Sequence, residues 1–129
     1  MAGVSLNLSD TFNNTVDAFN ATFSVKNPDK NAVDSLGQYY DDNIVMVTMS
    51  EQTFNGKDPV LKDLAGRAPE RFDPVAPVVN IIAGTVTGIG RFKDSKKAKA
   101  VPIQYKFTYS LKPASGGWIL RKAESSEPT

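Results

Sequence analysis

The 129-residue chain contains no cysteine and no histidine. Without cysteine it can form neither a disulfide bond nor a thiolate metal site. Without histidine it also lacks the ligand sets that usually hold zinc, copper or non-haem iron, which leaves only all-oxygen sites for hard cations. His-based acid–base catalysis and every Ser-His or Cys-His nucleophile are excluded for the same reason. We therefore expect the protein to use no metal and no cofactor.

The chain also has little excess charge and no long hydrophobic run. Its formal net charge is +1, whereas nucleic-acid binders usually carry a basic surplus that displaces counterions from phosphates. The one Lys-rich segment, residues 93 to 99, has no aromatic residue between its lysines to stack on a base, so we interpret it as a solvated hairpin tip. No segment approaches the roughly 20 apolar residues of a membrane span, and the first residues do not resemble a secretory signal. We expect a cytoplasmic protein that binds neither nucleic acid nor membranes.

What the sequence does contain is typical of one folded domain. Hydrophobic residues make up 40% of the chain and charged residues 22%, which provides enough apolar surface for one core without the charge excess that keeps chains disordered. No boundary is visible along the chain. We predict a single domain over residues 1 to 129.

Two helices are predicted at the start of the chain. The first covers residues 10 to 25 with Ser9 as its cap, because apolar residues recur at spacings of four, three and four: Phe12, Val16, Phe19 and Phe23. The cap-plus-proline pair Asn27-Pro28 then begins a second helix. This helix is predicted to end near residues 41 to 43.

A short hairpin and a third helix are predicted next. The β-branched run over residues 44 to 49 and the segment over residues 53 to 55 form the hairpin. The cap-plus-proline signal recurs at Asp58-Pro59 and begins a helix over residues 60 to 65, which Gly66 is predicted to end.

The second half of the chain reads as an antiparallel meander. Residues 68 to 77 contain three prolines and are predicted to be a loop. Four strands follow it, over residues 78 to 82, 85 to 92, 101 to 111 and 118 to 125. In the third strand apolar residues alternate with an outer row of Gln104, Lys106, Thr108 and Ser110, so one face is buried and the other is wet. Gly88 and Gly90 inside the second strand indicate a sharply coiled sheet.

Three local segments support a family resemblance that covers nearly the whole chain. They are Leu36-Gly37-Gln38-Tyr39-Tyr40-Asp41-Asp42, Phe54-Asn55-Gly56 and Gly116-Gly117-Trp118-Ile119-Leu120. In their order and spacing they resemble the nuclear transport factor 2-like superfamily, also called SnoaL-like. The resemblance implies an α+β, cystatin-like cone in which N-terminal helices pack on a strongly curved antiparallel sheet around a small pocket.

The last predicted strand resembles one particular group within this superfamily. The segment from Trp118 to Pro128 is similar to the group that includes the association domain of calcium/calmodulin-dependent protein kinase II. That likeness implies a homo-oligomer, a dimer or larger, joined through the exposed sheet face. Metal-free iota-class carbonic anhydrases are built on the same domain and end in His-His-Ser-Ser, where this sequence has Ala123, Glu124 and two serines. The ketosteroid isomerases of the superfamily use an aspartate and a helix-1 tyrosine, and this chain lacks both at the matching positions.

Candidate site residues follow from these patterns. Strict alternation, provided that no bulge intervenes, places Glu124 on one face with Trp118, and there its carboxylate could act as a general base if the face lines the pocket. The alternative is that the last strand frays at this point and Glu124 pairs with Lys122 or with solvent. The candidate catalytic residues are Tyr105, Glu124 and Ser126, and the candidate ligand-binding residues are Tyr40, Arg91, Tyr109 and Trp118. Two alternatives to these roles remain open. In one, the tyrosines simply pack in the core, and in the other, Arg91 and Arg121 are exposed on the outer face of the sheet. Asp41 and Asp42 are read as a solvated pair that ends the second helix.

Two hypotheses from different classes remain. In the first, the chain is a non-catalytic or weakly catalytic domain that self-associates and binds a small organic or anionic ligand. In the second, it is a metal-free lyase or isomerase that works through Tyr, Glu and Ser in the pocket. The absence of histidine favours the first hypothesis.

Overall fold

The structure is a computed structural model of the chain, and it describes residues 7–25, 27–67, 69–94, 99–112 and 117–128. Two helices come first along these residues, two strands and a third helix follow, and four strands come last. The elements are α1 (Leu8–Thr22), α2 (Lys30–Leu36), a 3-10 turn (Gly37–Tyr39), β1 (Tyr40–Val47), β2 (Thr53–Asn55), α3 (Lys57–Arg67), β3 (Pro69–Asn80), β4 (Thr85–Asp94), β5 (Val101–Lys112) and β6 (Gly117–Ser126). No helix in these parts of the chain is long and apolar enough to cross a membrane.

The six strands form one sheet in the order β2-β1-β6-β5-β4-β3. Strands β3 to β6 make the expected antiparallel meander. Strand β1 pairs in parallel with β6, so the sheet is mixed rather than wholly antiparallel. A parallel pair needs a long crossover, which α3 and four strands supply here. With the helices packed on this sheet, the α+β cone expected from the sequence is confirmed.

Helix α1 begins slightly earlier than the sequence suggested. Its cap is Asn7 rather than Ser9, because the Asn7 side chain accepts a hydrogen bond of 3.1 Å from the Asp10 amide. The helix buries Phe12 and Val16, as the spacing indicated. The pattern therefore identified the buried face but not the first residue of the helix.

Helix α2 is shorter than expected at both ends. The cap is Asp29, whose carboxylate accepts a 2.8 Å hydrogen bond from the Ala32 amide. Asn27 has a left-handed φ of 56° and stays outside the helix. At the other end Tyr40 already pairs with Leu120 of β6. The residues that the sequence assigned to the end of this helix therefore belong to strand β1.

Strand β3 contradicts the prediction of a loop over residues 68 to 77; of that segment, residue 68 lies outside the described residues. Prolines are tolerated because β3 is an edge strand, where a missing amide costs no ladder hydrogen bond. A register shift between Val75 and Val78 leaves Ala76 with a φ of 42°. The prediction of a loop is therefore wrong, and the prolines belong to an edge strand.

A side chain of α1 holds the edge strand in place. The amide group of Asn20 donates to the Phe72 carbonyl at 2.8 Å, and its oxygen accepts from the Phe72 amide at 2.9 Å. Asn20 therefore satisfies both backbone groups of Phe72 in the way that a neighbouring strand would. This contact fixes α1 against β3.

Aromatic rings fill the middle of the core. The Tyr105 ring lies 5.8 Å from that of Phe12 and 5.2 Å from that of Phe72, measured between centroids. Gly88 leaves room for this ring, since a Cβ atom there would lie 2.9 Å from the Tyr105 hydroxyl oxygen. The glycine that the sequence analysis read as a bend is covered by an aromatic neighbour on the next strand.

Two glycines allow a paired test of the fold. At Gly90 a Cβ would lie 2.6 Å from the Asp73 carbonyl oxygen, which belongs to the backbone of β3 and cannot move alone. We expect Gly90→Ala to lower the free energy of unfolding by about 1–3 kcal/mol, as overpacking does. Gly66 lies inside α3, which continues past the predicted stop, and nothing lies within 4 Å of its missing Cβ.

The matched control is therefore Gly66→Ala, which should raise the free energy of unfolding by up to about 1 kcal/mol, because alanine is the better helix former. Urea unfolding followed by circular dichroism measures both changes. Equal effects of the two substitutions would contradict the assigned positions of β4 and α3.

Candidate ligand cavity

A cavity of about 770 Å³ lies between the helices and the inner face of the sheet. Most of the side chains that line it are aliphatic or aromatic. They come from α1, α3 and the strands β1, β3, β4, β5 and β6. The inner layers of the cone thus leave an apolar chamber in place of a completely filled core.

Strand register shows which end of the cavity is closed. At one end Tyr40 pairs with Leu120, and both side chains are buried. At the other end Val47 pairs with Glu124, and the chain continues into Ser50 and Glu127, which are exposed. All of these residues except Glu124 line the cavity. It therefore opens beside the carboxyl ends of β1 and β6.

The closed end contains two buried phenols. The Tyr109 hydroxyl donates to the Thr15 hydroxyl oxygen at 3.2 Å, and Thr15 in turn donates to the Thr11 carbonyl at 2.8 Å. Burial raises the pKa of Tyr109 well above its ordinary value, against a smaller opposing effect of the Thr15 hydrogen bond. Burial also raises the pKa of Tyr40, which lines the cavity directly. Both phenols are neutral donors at ordinary pH.

The open end contains an arginine that the sequence analysis did not select. Arg67 ends α3 and lines the cavity with Val60 and Leu64, at spacings of four and three along one helix face. Its Nε donates to Asp63 Oδ2 at 2.9 Å, and its Nη2 lies 2.7 Å from the same oxygen. Its Nη2 is also 3.9 Å from the sulfur of Met46. The helical spacing could have revealed Arg67 had the helix been extended past Gly66.

A β-bulge at Arg121 changes the faces assigned to the last strand. Leu120 pairs with Tyr109 and Lys122 pairs with Thr108, so Arg121 has no opposite residue on β5. Beyond the bulge, Ala123 lines the cavity and Glu124 faces outward beside Lys106. The expectation that Glu124 shares a face with Trp118 is therefore wrong.

All three candidate catalytic residues border a second pocket of about 850 Å³, but the Tyr105 side chain does not share a face of the sheet with the other two. Glu124 and Ser126 lie on the outer face of the sheet, where Glu124 is 3.7 Å from the Lys122 amine. Tyr105 is buried in the aromatic core and is not among the cavity residues. Its hydroxyl has no hydrogen-bond partner in the described part of the chain, and burial raises its pKa. Ser125, which the sequence analysis passed over, is the serine of β6 that lines the cavity.

Of the candidate ligand-binding residues, Tyr40 alone lines the cavity. Tyr109 supports the closed end from behind, through its bond to Thr15. Trp118 is buried near Gly84, whose missing Cβ would lie 3.3 Å from its ring. Arg91 is exposed on β4, opposite Asp73 of the edge strand. Arg91 and Arg121, whose exposure was an open alternative, are both exposed, and neither lines the cavity.

Asp41 and Asp42 are adjacent on β1 and form salt bridges with different lysines. Asp41 is buried and binds Lys112 at 2.8 Å, and its Oδ1 accepts from the Asn43 amide. The bond to Lys112 holds the pKa of Asp41 below its ordinary value, and the Asn43 amide adds to this effect. Asp42 is exposed and lies 3.1 Å from Lys57. The expectation of a solvated pair at a helix end is wrong for Asp41.

A metal site would need several acidic side chains close together. Among the residues that the structure describes, no group of three or more histidine, cysteine, aspartate or glutamate side chains is placed to hold a metal ion.

Comparison with known proteins identifies the fold but no family. No protein-family model matches the chain. No curated protein matches it either. Solved structures do match, with low sequence identity over nearly the whole length.

One is an NTF2-like protein of unknown function from Pseudomonas aeruginosa, with a TM-score of 0.71, 12% identity, and coverage of 94% of this chain and 98% of the other. A candidate calcium/calmodulin-dependent protein kinase II association domain from Xanthomonas campestris has a TM-score of 0.68, 16% identity, and coverage of 99% and 95%. A candidate ketosteroid isomerase from Parabacteroides distasonis has a TM-score of 0.67, 15% identity, and coverage of 100% and 98%. The chain therefore has the NTF2-like, cystatin-like fold that the sequence resemblance implied.

The buried phenols predict an alkaline titration. Because burial raises the pKa of Tyr40 and Tyr109 in the folded state, the unfolded chain ionises first as pH rises past about 10. The stabilisation from these two groups is therefore complete below pH 10 and is lost above it. Tyrosinate absorbance at 295 nm should rise in two stages, the second coinciding with unfolding by circular dichroism.

Tyr40→Phe should make the second stage smaller, and in denaturant every tyrosine should titrate near the ordinary value. A single early stage in the native protein would show that the closed end is open to water.

Proposed function

We propose that this domain binds a small, mainly apolar organic molecule in the cavity and does not transform it chemically. The observation that carries the proposal is the composition of the cavity wall. Apolar side chains line its interior, while Tyr40 stands at one end and Arg67 at the other. Ligand sites are usually concave, mostly apolar and equipped with a few polar groups that orient the ligand. A volume of about 770 Å³ lies within the usual range for such sites.

The described residues that line the cavity provide no buried carboxylate and no imidazole group for acid–base chemistry. Of the described residues that line it, only Glu127 carries a carboxylate, and this residue is exposed beyond the end of β6. A general base must lie within hydrogen-bond reach of the proton that it removes. On β1, Ile44 and Met46 line the cavity where the superfamily's isomerases would place an aspartate. These features support binding over isomerase or cyclase activity, although some proteins of this fold carry such names.

Self-association through the outer face of the sheet is the second part of the proposal. Val75, Val78 and Ile89 are 53%, 62% and 54% exposed, and the register places Val75 opposite Ile89 on that face. Lys106 and Glu124 lie opposite each other nearby and offer complementary charges. The edges of the sheet are poor alternatives, because β2 has three residues and β3 carries prolines. The exposed face supports a symmetric dimer or larger ring.

Filling the cavity tests the binding function. Ala123 lines it and has little volume, so Ala123→Phe should occupy space that a ligand needs. With a neutral apolar probe, N-phenyl-1-naphthylamine, we expect saturable fluorescence enhancement by the unmodified protein. The Ala123→Phe variant should bind at least about tenfold more weakly, a loss of about 1.4 kcal/mol.

The control is Ala65→Phe, which adds the same ring at an exposed position of α3 and should leave probe binding unchanged. Binding that survives Ala123→Phe would place the probe outside the cavity and refute the proposal.

Self-association has a separate test. Replacing Ile89 by lysine would put a charge in the centre of the exposed apolar face, and we expect it to shift the protein to a monomer. Ile82 is fully exposed at the turn between β3 and β4, away from that face, so Ile82→Lys is the control and should leave assembly intact. Size-exclusion chromatography with light scattering measures the mass of each. A monomeric unmodified protein at tens of micromolar would contradict the proposed assembly.

A further inference from the structure

We infer that the ligand is an amphipathic organic acid, whose carboxylate binds Arg67 at the open end while its apolar part enters the cavity. The inference rests on the proposed binding function and names the chemical class of the ligand. It follows from three features of the site. These are the way Arg67 is held, the polar groups around it, and the separation of polar and apolar wall along the cavity.

Arg67 is a fixed cation at the cavity wall. Its side chain is 25% exposed and that of Asp63 is 11% exposed, so both charges are partly removed from water. Two nitrogens of the guanidinium meet one oxygen of Asp63, which holds the plane of the group in one orientation. A guanidinium carries five donors in a planar fork and can bind more than one carboxylate. Asp63 is thus a positioning residue, and Arg67 is the residue that would contact the ligand.

Hydroxyl groups accompany the arginine at the open end. Thr48 and Ser50 line the cavity just beyond β1, with their hydroxyl oxygens 3.0 Å apart. Ser125 lines it from β6, two residues before Glu127. Hydroxyls can donate to a carboxylate as well as accept from it. The polar groups of the cavity are therefore concentrated where an acid group would sit.

The deeper wall suits a hydrocarbon body. Val16, Ile44 and Leu120 line the interior and are almost completely buried. Phe19 and Phe92 line the wall near the mouth, with ring centroids 6.3 Å apart. Removing the methylenes of a ligand from water against this wall favours binding. A molecule with an acid at one end and a hydrocarbon at the other matches this division.

The charges around the mouth favour one carboxylate over a multiply charged anion. Asp63 already neutralises Arg67, and Glu127 adds a negative charge at the same end. Glu127 is exposed, so water and salt screen its charge, whereas Arg67 would touch the ligand. A phosphate with two charges would meet more repulsion here than a monocarboxylate. Free inorganic phosphate also has no apolar part to fill the interior.

A matched pair of probes tests the inference. Octanoate and octanamide have the same chain and nearly the same head-group shape, but only octanoate is charged. By isothermal titration calorimetry with the full chain, octanoate should bind at least about tenfold more tightly than octanamide, a difference of about 1.4 kcal/mol. Inorganic phosphate should not bind.

Variants at the arginine connect this preference to its cause. In Arg67→Met the two probes should bind equally, because the cation is lost while much of the hydrocarbon stem is kept. In Asp63→Asn the octanoate affinity should rise and the octanamide affinity should not, because the competing carboxylate is gone. The control is Arg71→Met, since Arg71 forms a similar 2.7 Å pair with Asp73 on the exposed edge strand. This variant should keep the preference for octanoate.

The possible outcomes distinguish a failure of this inference from a failure of the proposed binding function. If octanamide binds as tightly as octanoate, the acid head group is wrong but a ligand-binding cavity remains. If neither probe binds at millimolar concentration, and the neutral probe also fails, the proposed function is wrong as well. Thermal melts check that each variant folds. Should Arg67→Met fail to fold, an unchanged octanoate affinity in Asp63→Asn would by itself overturn the inference.

Discussion

The extra residue at Arg121 is the constraint on which the site depends. It leaves Leu120 facing inward with Tyr109 and turns the following residues over, so that Ala123 and Ser125 face the cavity. Without this bulge, strict alternation would send the Glu124 carboxylate into the cavity. An ionised carboxylate is costly in an apolar chamber unless it is paired. The bulge therefore keeps the chamber apolar and leaves the charges of β6 for the outer face.

The same separation of charge supports the proposal that the domain binds a ligand without transforming it. At the closed end the polar groups are the neutral phenols of Tyr40 and Tyr109 and the hydroxyl of Thr15, which accepts a hydrogen bond from Tyr109. At the open end a charged pair, Arg67 and Asp63, stays at the boundary with water. Among the described residues that line the cavity, neither end has an unpaired buried carboxylate that could remove a proton. Polar groups placed in this way are suited to orienting a bound molecule.

The sequence predicted the architecture better than the site. Period-two alternation identified the buried face of β5, and the helix spacing identified the buried face of α1, because both signals are local. The bulge at Arg121 gave no such signal, since neither glycine nor proline marks it and its existence depends on pairing with β5. The proline-rich β3 was missed because only the sheet order shows that it is an edge. Arg67 was missed because α3 continues through Gly66.

The parallel pairing of β1 with β6 has a consequence for how the protein folds. It joins Met46 to Ala123, so this contact closes a loop of most of the chain. Long-range pairings lose loop entropy before they gain contacts, and high contact order slows folding. The mouth of the cavity is built at this seam, with Thr48 from one side and Ser125 from the other. We therefore expect the mouth to form late in folding, and a chain whose β6 has not yet been synthesised lacks one wall of the cavity.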